Sequence, residues 1–473
     1  MRDRAWFVLL ALAACGRDAP KLSIAQLEDP QTCIGCHPQH SAQWAASMHA
    51  YASDDPVFVA LNRRGQREAH LGAFCVRCHA PMAVALGLTN GSDFDPAKLP
   101  PAARGVTCFF CHDVAKVGED HNNGLELALD DVMRGGVADP VESTAHRSRF
   151  DDQMASATNE SKMCGSCHDV VMPSGVALER TFAEWRSTIF AQHDPSRDLP
   201  LTCSGCHMKS DSTIATIATA SNVPSRSNGF HEHLMPGIDE ATTPFPGAEL
   251  LAAGIARDLD PALTIVGPTP LGGAIGNGGI CVSPQNGGTI TVRIDTRGTG
   301  HMWPSGASHD RRAWLELVAF DADNHVVFSS GEVPDDKDPE DIADPNLFAM
   351  WDRTVRADGS AAHFFWDVAT EQSHLLRAPV TLDPKAPAFD HSATATFTVG
   401  ALASQIDHIS ARVRIRAIPR ATLRELVASG DLSPDAAARA SHTLDVAATV
   451  RHWTRADAER AKPYTGCIAS PFD

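Results

Sequence analysis

Positive charge is scarce in this chain: 40 Lys and Arg face 58 Asp and Glu across 473 residues, a formal net charge of −18. Nucleic acid and anionic lipid both need a cationic surface, so neither is an expected partner. The apolar run near the N-terminus, Ala5 to Ala14, falls short of the ~20 residues a membrane-spanning helix requires. Aromatic residues make up 6 %, with only two tyrosines, Tyr51 and Tyr464. Hydrophobic content of 43 % and charged content of 21 % suit a soluble chain with a sizeable core and exclude both disorder and a polytopic membrane protein. Spare cysteine is also missing: of thirteen cysteines, only Cys15, Cys281 and Cys467 lie outside one repeated pattern.

That pattern is C-x-x-C-H. It occurs five times: at Cys33, Cys36 and His37; Cys75, Cys78 and His79; Cys108, Cys111 and His112; Cys164, Cys167 and His168; and Cys203, Cys206 and His207. Two thiols at this spacing on one tight turn can add to the two vinyl groups along a porphyrin edge, and the next residue then places an imidazole under the iron. One copy could equally be half a zinc site or a thioredoxin-type redox pair. Neither needs a histidine after every pair, and no C-x-x-C occurs without one. The five copies therefore predict five covalently bound c-type haems, whose propionates add to the acidity.

The N-terminus, MRDRAWFVLLALAACG, places Arg2 and Arg4 before the short apolar run, the form of an export signal. Leu12-Ala13-Ala14-Cys15 resembles the bacterial lipoprotein box, which predicts a signal peptide over 1–15 and a lipid anchor at Cys15. An ordinary signal peptide with an idle Cys15 is the alternative. The expected location is the bacterial periplasm or cell envelope, on the membrane only through that anchor. In such an oxidising compartment Cys281 and Cys467 can form a disulfide.

Spacings of 42, 33, 56 and 39 residues between first cysteines leave little protein per haem. Residues 31–240 are accordingly expected to be short helices and loops wrapped on cofactors, after a tether at 16–30. Helical signals lie at Ala42 to Ala52 and Leu178 to Gln192, where Phe182, Trp185, Ile189 and Phe190 recur at helical spacing. Gly and Pro dominate 241–285, read as a linker. From 286 to 420 the period changes: TITVRIDT, AWLELVAFDAD, VVFSSG, TATFTV and ISARVRIRAI alternate and are β-rich, predicting an antiparallel β-sandwich. A helix from Ala421 to Ala440 and a tail complete 421–473. The expected class is α+β.

A second axial ligand decides what such irons do, since an iron with one protein ligand keeps an open face and one with two mainly passes electrons. Seventeen histidines lie outside the motifs. WAASMH, ending in His49, resembles the W-x-x-S-x-H element of multihaem cytochromes related to the hydroxylamine oxidoreductase and octahaem reductase group. FCVRCHAP, GVTCFFCHD, CGSCHDV with TFAEWRSTIF, CSGCHM and HLMPG resemble further elements of those chains in order, covering residues 31–238. The resemblance implies His49, His146 and His233 as distal ligands, with His231 competing with His233. His49 is too close to its own motif to cap that haem and should reach a neighbouring one. His70 and His301 are the fourth and fifth candidates, against roles as a surface and a turn histidine, with His121 in reserve. GHMWPSG, around His301, resembles a turn that opens the sandwich in such cytochromes, where a ligand would lock the domains together. Met48, Met208 and Met235 are possible ligands but more often pack.

The chain departs from the enzymes of that group. It has no C-x-x-C-K, it has five motifs where they have eight, and it has no tyrosine-rich segment. Two functions follow. In one, bis-histidine haems carry electrons between redox proteins, other cytochromes or a quinol-linked donor, and no residue is catalytic. In the other, a five-coordinate haem reduces or oxidises a small nitrogen or sulfur compound, with Arg63, Arg64 and Arg67 as pocket candidates, against a solvated helix face.

Overall fold

The structure, a computed structural model, describes residues 21–192, 201–265, 279–296 and 298–460, apart from 142, 144, 221, 285 and 286. Cys15 and Cys467 therefore lie outside the described residues, and with them the lipid anchor and the Cys281–Cys467 disulfide. Among the described residues no helix is long and apolar enough to cross a membrane. The chain divides into two compact units, the described parts of 1–186, 190–255 and 426–436, and those of 187–189, 256–425 and 437–473.

The first unit is built of short helices, and proline is one reason they are short. Pro30, Pro38, Pro56 and Pro81 each open a helix, where the missing N–H costs nothing and the fixed φ suits the first turn. The helix expected over 42–52 is two pieces, Pro38–Ala46 and Met48–Tyr51, divided at Ser47, whose extended backbone ends the first and whose side chain caps the second. The segment read as helical from Leu178 is a strand, Ala177–Glu179, then a helix, Thr181–Arg186, and a 3-10 turn, Ile189–Ala191. Pro56–Ala69 is longer; Asp55 caps it by accepting from Val57 and Phe58 N–H. Its apolar face joins Leu27, Val76, Met82, Phe94 and Phe109 in a core that wraps the second and third motifs. The stretch read as a linker is partly ordered: Ala248–Leu259 is a helix, and Thr264–Ile265 and Ile280–Ser283 are strands.

In the second unit, Ile280–Ser283, Thr289–Asp295 and Ala393–Thr398 pair antiparallel, with Thr264–Ile265 beside the middle strand. A five-stranded sheet centres on Arg312–Phe320 and His408–Arg416, which pair antiparallel from Arg312↔Arg416 to Phe320↔His408. Its outer strands are Val326–Ser330, Thr443–Asp445 and Arg451–Thr454. Alternate residues Ile290, Val292 and Ile294 are buried, as are Ile409, Ala411 and Val413, the period of a strand with one covered face. Phe328 of one sheet meets Phe397 of the other at 5.7 Å. Arg416, fully buried, pairs with Asp338 at 3.0 Å, and that carboxylate also accepts from the N–H groups of Arg420 and Ala421. This start belongs to Arg420–Ala428, which with Pro434–Ala440 replaces the single helix expected over 421–440; Gly430 at φ 77° breaks the run.

His391 lies 3.7 Å from Asp295, and that carboxylate raises the imidazole above its ordinary value. A raised value means the folded state holds the proton more tightly than the unfolded one. The contribution is therefore complete below about pH 6.5 and is lost as pH rises through the folded value. Asp295→Asn should flatten the dependence of the thermal midpoint on pH in that interval.

Candidate functional site

Each motif forms one helical turn, which sets both cysteines on one face a turn apart. His37, His79 and His168 donate their backbone N–H to the carbonyl of the first cysteine of their own motif, at 2.8, 3.2 and 3.1 Å. Thr107 and Thr202 cap the third and fifth turns through Phe110 and Gly205 N–H. In the fourth, a Cβ added to Gly165 would overlap Cβ and Cγ of Phe182. Gly165→Ala should thus destabilise this turn by roughly 1–3 kcal/mol and deplete the protein of haem at Cys164 and Cys167, read by mass spectrometry of the intact chain.

The imidazoles are oriented before any metal is considered. His37 Nδ1 bonds Ile217 O at 2.7 Å, His79 Nδ1 bonds Ala52 O at 3.3 Å, His112 Nδ1 bonds Arg134 O at 2.5 Å and His207 Nδ1 bonds Pro236 O at 3.0 Å. A carbonyl accepts only, so Nδ1 carries the proton and Nε2 is left as the lone pair, the arrangement of a metal-ligating histidine with its outer partner in place.

Three further histidines stand opposite motif imidazoles. His146 faces His37 with ring centres 6.2 Å apart, His233 faces His112 at 6.1 Å, and His49 faces His168 at 6.0 Å. Two metal–nitrogen bonds of about 2 Å on opposite sides of one ion, plus the half-width of each ring, separate the centres by roughly 6 Å. The residues thus fit an iron held between two imidazoles. His49 faces the fourth motif, not its own. Burial and neighbouring imidazoles push His49 and His233 down to about 3, and burial pushes His79 down to about 4, so all three stay neutral and able to ligate.

His231, the competitor of His233, is exposed and its Nδ1 bonds Met208 O; its own carbonyl accepts from His233 Nδ1 at 3.1 Å. His70 is exposed, at the left-handed C-cap of Pro56–Ala69; among the described residues no motif imidazole is in ring contact with it. His121 sits beside Asp120 at 3.2 Å. His301, in the second unit, is half-buried with Nδ1 on Met302 O at 2.8 Å. Arg64 pairs with Glu68, and Arg67 makes a two-pronged contact with Asp431, which commits two of the three arginines proposed for a pocket to surface ion pairs. His40 went unnoticed in the sequence. It is buried, edge-on to His233 at 4.7 Å and 6.5 Å from His37; its place three residues after His37, on the same helical face, was the available signal.

His79 differs. Phe58 lies flat against its ring at 4.0 Å, backed by Phe94, and among the described residues no second imidazole is in ring contact with it.

Thiols of different motifs also meet. Cys33 lies beside Cys108, Cys78 beside Cys167, and Cys164 beside Cys203. Burial pushes Cys75 up to about 12 and Cys111 up to about 11, so these remain S–H, the form that adds across a vinyl group. Cys36 is disulfide-bonded in this structure, a state that its addition to a vinyl group would exclude.

Residues 32–113 match the family described as cytochrome c554 and c-prime. No curated protein matches the chain. Among solved structures, a penta-heme cytochrome c552 from Thermochromatium tepidum aligns over 92 % of this chain and 99 % of its own length, with TM-score 0.58 and 17 % sequence identity. The two chains share a fold.

Proposed function

We propose that this chain is a multihaem c-type cytochrome with one haem on each C-x-x-C-H motif, and that it relays electrons through centres closed on both sides by histidine. The observation that carries this reading is the set of three imidazole pairs at 6.0–6.2 Å. Haem iron, when bound, supplies a one-electron couple whose potential follows its axial ligands and burial. The protein's part is to hold each Nε2 in place, keep His49 and His233 neutral, and exclude water with Phe58, Phe109, Phe182 and Trp185.

The thiol contacts order the motifs. The first adjoins the third, the second adjoins the fourth, and the fourth adjoins the fifth, while Cys111 of the third lies near Cys164 and Cys167 of the fourth. A connected array of this kind suits relay, with the first, second and fifth motifs at its ends. Redox proteins, a cytochrome or a quinol-linked donor among them, are the proposed partners, outside the cytoplasmic membrane and with a lipid anchor at Cys15. The two-sheet unit is proposed as a sandwich that stabilises or docks, and His70 and His301 remain proposed ligands.

The oxidised holoprotein tests this reading. Low-spin iron throughout, by EPR and absorption, is the expected result for a relay. One observation favours a second reading at one place: His79, where an aromatic ring rather than an imidazole packs closest. A high-spin signal that moves on adding nitrite or hydroxylamine, and is lost in Cys75→Ala/Cys78→Ala protein, would assign a small-molecule reductase or oxidase there.

A further inference from the structure

The motifs differ in how their spacer residues meet solvent. Phe109 and Phe110 of the third and Gly165 and Ser166 of the fourth are buried, whereas Ile34 of the first is 44 % exposed and Gly35 beside it is exposed. Gly205 of the fifth is exposed too, but its neighbour Ser204 donates to the Glu160 carboxylate. At the first, the nearest charge along the chain is Asp29, at the N-cap of its helix. Residues 30–53 contain no Asp, Glu, Lys or Arg, and neither do residues 212–225, in a chain that is 21 % charged. The fold ties these two neutral runs together: Thr219 donates its N–H to Cys36 O at 2.9 Å and its hydroxyl to Gly35 O at 3.3 Å, beside the bond from His37 to Ile217 O. Gln31, Gln39, Thr216 and Thr219 are exposed alongside Ile34.

We infer that this neutral face around Ile34 and Gly35 is where a basic electron-transfer protein docks. The inference rests on the relay reading and adds the place and the kind of partner. Burying a charge in a contact costs desolvation that a transient complex has little area to recover, so the centre of such a contact is best uncharged. The charge of −18 acts over longer range and draws a cationic partner in. A neutral face on an acidic protein, at an end of the thiol-ordered array, meets both requirements. An acidic partner, or a second copy of this chain, would be repelled.

The test is stopped-flow electron exchange between the full holoprotein and a small basic monohaem cytochrome c. Ile34→Lys is compared with Leu88→Lys, which makes the same charge change at a site 47 % exposed elsewhere in the first unit. Both variants should keep wild-type haem content and spectra. Ile34→Lys should slow the second-order rate by about tenfold and Leu88→Lys by less than about threefold, and the wild-type rate should fall with added salt. Equal effects of the two substitutions, or none from Ile34→Lys, would overturn the docking face. Exchange that is absent in wild-type protein with wholly low-spin haems would overturn the basic partner and leave the relay standing. The relay itself falls only on the spectroscopic test.

Discussion

His49→Ala is expected to turn one low-spin haem high-spin while leaving the haem content of the protein unchanged. The thiols that retain the cofactor, Cys164 and Cys167, are not touched, so the haem at His168 stays attached and loses only its second imidazole. His49 is half-buried with its Nδ1 shielded from solvent, stands 6.0 Å from His168, and is held neutral. Its Nδ1 has no hydrogen-bond partner, so the ring is placed by packing and by what Nε2 binds. Added imidazole should return the signal to low spin, because truncation leaves room for it. His325→Ala, at an exposed turn of the second unit, serves as the control and should leave the spectrum as it was. An unchanged EPR spectrum in His49→Ala would remove His49 from the ligand set and with it one of the three pairs.

The largest expected loss of stability is at Trp314→Ala in the second unit. Trp314 is fully buried at the centre of the five-stranded sheet and donates its indole N–H to Gly331 O at 2.9 Å. Arg414 and Arg416 lie over its ring at 5.7 and 5.8 Å. Truncation removes the apolar contacts, opens a cavity and leaves the Gly331 carbonyl without its donor, at a cost of about 3–5 kcal/mol. The thermal midpoint of the second unit should drop by many degrees. Trp314→Phe fills most of the volume and should lose clearly less, and equal losses would show that packing is not what the indole supplies.

The five strands read within 286–420 were legible because each satisfies a local rule, whereas Thr443–Asp445 and Arg451–Thr454 lie in the stretch read as helix and tail. Runs such as ISARVRIRAI alternate with period two, and His408–Arg416 buries alternate residues as that period requires. Helix limits were less so, since single residues set them: Ser47 divides one expected helix and Gly430 another. The region read as a linker carries a helix because Ala248–Leu259 has its own apolar face, which the flanking Gly and Pro concealed.

For the site, the five C-x-x-C-H turns and their chemistry could be read from the sequence alone, because thiol, thiol and imidazole are presented within one turn and need nothing from elsewhere. The pairing of imidazoles could not be, because His49 and His168 lie 119 positions apart, and His37 and His146 lie 109 apart, so only folding makes them neighbours. The contact of His40 with His233 lay beyond sequence reasoning for the same reason, as did the neutral face formed when residues 30–53 meet 212–225. Chemistry held within a few residues is written in covalent order. Distance across the chain is decided only when burial and hydrogen bonding close the loops between.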